Sequence, residues 1–125
     1  MTSSTRIPSP LLDGLARILL CLVFVNALLG KFGGFAATAA MMAERGLPLA
    51  RVLLVLAMVL MGVGSILVIS GVRQRLGVLL LLVFLVPTTL IFHTDLGDPM
   101  QRIAFFKNLA IMGGLLLVAN RPGAT

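Results

Sequence analysis

The side chains able to do chemistry are few, and most sit at the edges of long apolar runs. Lys31 ends the first run, His93 follows the third, Asp95 stands in the loop beyond it, and Lys107 and Asn108 enter the fourth. An imidazole beside an ammonium and a carboxylate could hydrogen-bond a carbonyl or pass on a proton. Each is costly at membrane depth unless it finds a partner. Runs that alternate up and down bring these ends to one face, so Lys31, His93, Asp95, Lys107 and Asn108 form a candidate polar pocket. Asp98, in the same loop, is a further counter-charge.

Searches for a complete catalytic set fail. One histidine cannot hold a metal alone, and no serine or cysteine has a plausible histidine partner. Gly30-Lys31 is not a phosphate loop, because Val25 and Phe32 stand where glycine and a hydroxyl residue are required. Cys21 is the single cysteine and lies within an apolar run, where it reads as a small core residue. No catalytic residue, metal site or resident cofactor is expected.

The elements that must position these residues follow from run length. Leu11 to Gly30 is the first span, with Asp13 and Arg17 four residues apart for an ion pair on one helix face. Between Arg51 and Arg73 lie 21 residues without charge, about 31 Å of helix, which is the thickness of a bilayer core. Spans are expected at 11–30, 50–72, 76–93 and 103–120, with a kink near Pro87. Residues 33–45 have the spacing of a short interfacial helix, stopped by Gly46 and Pro48. The Asp95-to-Pro99 stretch reads as a polar loop.

The architecture expected is therefore all-α, an integral membrane four-helix up-down bundle. Residues 1–10 read as a flexible tail, 11–120 as one transmembrane domain and 121–125 as a second tail. Ala37-Thr38-Ala39 resembles a cleavage site, but the stretch before it is long, charged at Asp13 and Arg17, and interrupted by Lys31. Arg17, Arg73 and Arg75 read as interface anchors. Asn26, Gly62, Gly64, Gly113 and Gly114 read as helix-packing positions, with Asn26 making an interhelical hydrogen bond.

Composition agrees. Apolar residues make up 59% of the 125, and charged residues 11%, against about 45–50% and 25% in soluble domains. Lipid must be the solvent for much of the surface. The net charge of +6 is spread singly and in pairs over run ends, with no basic stripe and interleaved aromatics, which excludes nucleic acid and favours anionic headgroups. Lys and Arg are equally divided between the two faces; the compact Arg73/Arg75 link points to cytoplasmic termini.

At these residues the chain resembles the DoxX family of small membrane proteins. The resemblance is carried by Arg17-Ile18-Leu19-Leu20, Phe24 through Phe32, Gly46-Leu47-Pro48, Gly64 through Gly71 with Arg75, Phe92-His93, and Phe106 through Ala110 with Gly113-Gly114-Leu115. It implies a four-helix fold in a bacterial inner membrane. In some members it also implies association with oxidoreductase systems, quinone-linked ones included. Two positions depart: Met61 stands where a glutamate is common, and Ala27-Leu28 where Ser-Gly is common. The resulting expectation is a non-catalytic membrane subunit or scaffold for membrane or peripheral partner proteins, redox proteins among them. The alternative is a quinone-binding oxidoreductase subunit using His93 and Lys107. A homo-oligomer stays open.

Overall fold

A computed structural model describes residues 9–125; the greater part of the expected N-terminal tail, residues 1–8, lies outside them. Five helices follow in order: α1 Ser9–Gly33, α2 Phe35–Glu44, α3 Ala50–Ser70, α4 Gln74–Phe92 and α5 Pro99–Ala119. No strand occurs among the described residues. All but α2 are long and apolar enough to cross a membrane. The architecture is the expected four-helix bundle with a short extra helix between the first two spans.

Three boundaries shift for local reasons. Gly34 separates α1 from α2 by one residue, and its amide still donates to the Gly30 carbonyl at 3.0 Å. The loop expected through Pro99 ends sooner, because Asp98 caps α5. Its Oδ1 accepts from the Met100 amide at 3.0 Å, and Pro99 takes the first helical position, where a missing N–H costs nothing. At the other face Gly71 closes α3 with φ +78°, and Gln74 already belongs to α4. α4 remains helical through Pro87, with Thr88 and Thr89 donating to the Phe84 and Leu85 carbonyls.

α3 and α4 pack most closely. Gly64 and Gly77 face each other there, and a Cβ on Gly77 would lie 2.9 Å from the Gly64 carbonyl oxygen. α1 packs on α3 and α5 on α4, while α1 and α5 touch only sparsely. The bundle is a ring of four helices with one loose seam. Its core joins Cys21, Phe24, Met61, Leu81 and Leu115, and Phe24 meets Phe84 across it edge to face at 6.3 Å. A second cluster seats Ala39 and Met42 of α2 against Leu54.

Candidate functional site

The face holding the C-terminal ends of α1 and α4 receives the expected polar pocket residues and brings Lys107 near His93, but no hydrogen bond or ion pair joins the set among the described residues. Lys31, half-buried, places Nζ 5.9 Å from the Phe84 ring centroid, a cation–π contact with α4. Lys107 and Asp95 are exposed. No salt bridge connects Lys31 or Lys107 to Asp95 or Asp98 among the described residues. The reason is local: the Asp98 carboxylate is turned to its own helix amide. Asn108 is buried, yet it is committed to packing, its Nδ2 donating to Thr89 Oγ1 at 3.0 Å.

His93 ends α4 with its Nδ1 buried and unpartnered. Burial first, and then the positive charges of Lys107 and Arg45, push its pKa below the ordinary value. Arg45, unnoticed in the sequence, reaches over from the α2 end to donate to the Ile91 carbonyl at 3.1 Å. Its guanidinium lies 5.1 Å from the Phe92 ring centroid.

The opposite face is better organised. Arg17 Nη1 donates to the Val68 and Ile69 carbonyls at 2.9 and 3.2 Å, so it caps the C-terminal end of α3. The expected Asp13–Arg17 ion pair is absent. Arg17 is drawn to those orphan carbonyls, where the helix dipole is negative, and contacts Asp13 only through its backbone oxygen. The Asp13 carboxylate instead pairs with Arg121 at 2.5 Å. Gln74 and Arg75 donate to the Val118 and Ala119 carbonyls, both at 3.0 Å, capping α5. Two expected anchors, Arg17 and Arg75, thus have helix ends as partners. Arg73 is exposed, and its amide donates to the Thr125 hydroxyl at 3.2 Å, so the end of the chain folds back on the bundle.

Between α1 and α5, where the ring is loose, lies a cavity of about 450 Å³. Leu20, Gly114, Leu117 and Val118 form apolar walls; Asp13, Arg17, Gln74 and Arg121 form a polar end. Arg121 Nε is buried there without a hydrogen-bond partner. The cavity can take an amphipathic molecule with an accepting oxygen at its head. Of its lining, Asp13, Arg17 and Gly114 were singled out in the sequence. For the rest the one signal was Arg121, a charge just past the end of the fourth run.

Among the packing residues, Gly64 is buried against α4, Gly62 meets Leu28 and Gly114 meets Leu20. Asn26 and Gly113 are corrected. Both are exposed, Asn26 makes no hydrogen bond within the described residues, and a Cβ on Gly113 would meet nothing. Both lie on helix surfaces turned away from the core.

Four helices long and apolar enough to cross a membrane, their ends closed by arginines, make this a polytopic membrane bundle. The DoxX family model matches residues 12–94, and the chain belongs to that family. It is 34% identical over 110 residues to inner membrane protein YqjF of Escherichia coli strain K12, covering 87% of this chain and 83% of that one. It is 33% identical over 121 residues to inner membrane protein YphA of the same strain, covering 92% and 86%. No solved structure matches.

Proposed function

We propose that this DoxX-family protein is a membrane subunit that binds partner proteins, redox proteins among them, and carries no chemistry of its own. The supporting observation is how its polar side chains are employed. Arg17, Gln74, Arg75 and Asn108 each donate to a carbonyl or hydroxyl of their own bundle. A general acid or base must instead face its substrate with a titratable group free, and the unpartnered Nδ1 of the single imidazole, His93, is buried. Between the two faces the core is mostly apolar; its buried polar side chains, Ser65 and the hydrogen-bonded Asn108–Thr89 pair, are isolated from one another by apolar neighbours. The protein isolated in mild detergent should show no turnover with quinols or thiols, and a redox protein should copurify from native membranes. Quinol oxidation by the isolated chain would overturn this reading.

The reading includes a bacterial inner-membrane location with both termini cytoplasmic. The relatives' names support the membrane, and the Arg73/Arg75 link supports the orientation. A C-terminal phosphatase reporter, active only outside the cytoplasm, should stay silent; strong activity reverses the orientation.

One observation favours quinone binding as a second reading. The cavity between α1 and α5 has apolar walls and the charged side chain of Arg121 at its polar end, which suit a ring with an accepting carbonyl. On this second reading the quinone site is this cavity and not His93 and Lys107. Short-tail ubiquinone should bind the purified protein, and Arg121→Gln should weaken binding about tenfold by removing a charged donor. Equal affinity in the variant excludes this cavity.

A further inference from the structure

The outer face of α1 carries a pattern that its own bundle does not use. Leu12, Leu15, Leu19, Leu22, Asn26 and Leu29 follow one another at alternating steps of three and four, and Gly33 continues the rhythm. This is a heptad seam with Leu15, Leu22 and Leu29 at its d positions and Asn26 at an a position. The leucines are 41–63% exposed, and Asn26 is exposed. At 100° per residue the seam lies opposite Arg17, Cys21, Phe24 and Leu28, which face the bundle.

Asn26 is the anomaly. It sits about 8 Å from the midpoint of α1, well inside the hydrocarbon. Its side chain is too short to reach the headgroups, unlike that of Lys107. An amide facing lipid leaves two donors and an acceptor unmet. The exposed positions of α3 between Val52 and Ile69, and of α4 between Leu79 and Ile91, are all apolar.

We infer that the seam pairs with the seam of a second copy of this chain. Copies inserted the same way place their Asn26 residues at equal depth, and a twofold axis along the membrane normal sets the two α1 helices parallel. Residues at a then meet their counterparts, and an amide both donates and accepts, so Asn26 satisfies its counterpart. Leucine gains nothing from leaving lipid for another leucine; packing and the amide pair therefore carry the association. A Cβ on Gly30 or Gly33 would meet nothing among the described residues, which leaves room for close approach at that end. The dimer is independent of the partner-binding role proposed above.

The test is oxidative cross-linking of the full chain in membranes, with Cys21→Ala as background. Leu19→Cys and Leu22→Cys, which keep Asn26, should give dimers. Leu79→Cys and Leu117→Cys, comparably exposed on α4 and α5 at 55% and 71%, should not. Asn26→Leu, which keeps the seam apolar and leaves the core untouched, should lower association in lipid about five- to thirtyfold, and Asn26→Gln should recover part of it. Cross-linking as strong at the control positions, an Asn26→Leu dimer of unchanged affinity, or a chain monomeric in lipid each overturns the inference. The last outcome means that lipid alone covers the seam.

Discussion

His93 combines a buried Nδ1 with two positive neighbours, and its lowered pKa has a consequence for stability. The unfolded chain takes up the proton first. Stability is therefore greatest above about pH 6.5 and falls as pH drops towards the folded pKa. In detergent, the melting temperature should decline below about pH 6.5, and His93→Gln should flatten that limb while leaving pH 8 little changed. An unaltered acid limb assigns the decline to other groups. The buried Asn108–Thr89 pair makes a second prediction. Thr89→Val strands the Asn108 amide and should cost about 1–2 kcal/mol. The double variant Thr89→Val/Asn108→Leu should cost less than the sum of the single changes, as a thermal-denaturation cycle can measure.

The α3–α4 crossing depends on two glycines, of which only Gly64 stood out before the structure. A Cβ on Gly77 would lie 2.8–2.9 Å from Val68, Leu67 and the Gly64 carbonyl oxygen, so the helices must part. Gly77→Ala should cost about 1–3 kcal/mol by overpacking, whereas Gly113→Ala should stay within about 0.5 kcal/mol. Equal melting temperatures for the two variants would remove the close crossing from the account. The helix ends show the same dependence on partners. Gly71 is left-handed, and a Cβ there would come within 2.6 Å of Arg17 Nη1. Arg17→Met should therefore destabilise the end of α3, seen as faster amide exchange of Ser70 to Val72, and Arg17→Lys should restore part of the protection. Exchange unchanged in Arg17→Met would show that the cap contributes nothing.

Across the whole molecule, three helix contacts are close and the α1–α5 seam is loose, bridged at one face by Asp13 and Arg121. That pair is partly exposed, Arg121 at 43% and Asp13 at 36%, so Asp13→Asn should change overall stability by less than about 1 kcal/mol. A larger loss on thermal unfolding would make the seam a major element of the fold. The number and placement of the spans were legible in the sequence because uncharged length is sufficient to specify a membrane helix: lipid leaves few alternatives for a backbone that must satisfy itself. The start of α5 was legible too, in Asp98-Pro99, although that signal was read as loop.

The candidate site was not legible in the same way. Sequence order correctly brings Lys31, His93 and Lys107 to one face, because alternating spans allow nothing else. Whether such side chains pair depends on rotation about each helix axis and on which carbonyls lie within reach, and a sequence of apolar runs with weak periodicity leaves both free. Tertiary structure decided that Arg17 caps α3 in preference to pairing with Asp13, that Asn108 binds Thr89, and that the cavity opens at the opposite face. It also turned Asn26 outwards. What the sequence determined by itself is the class: four membrane helices, few charges, and a chain whose solvent is lipid. The partners of each polar group were left to packing, because hydrogen bonds reach about 3 Å, while a rotation of one helix by a single residue swings a side chain through about 100°.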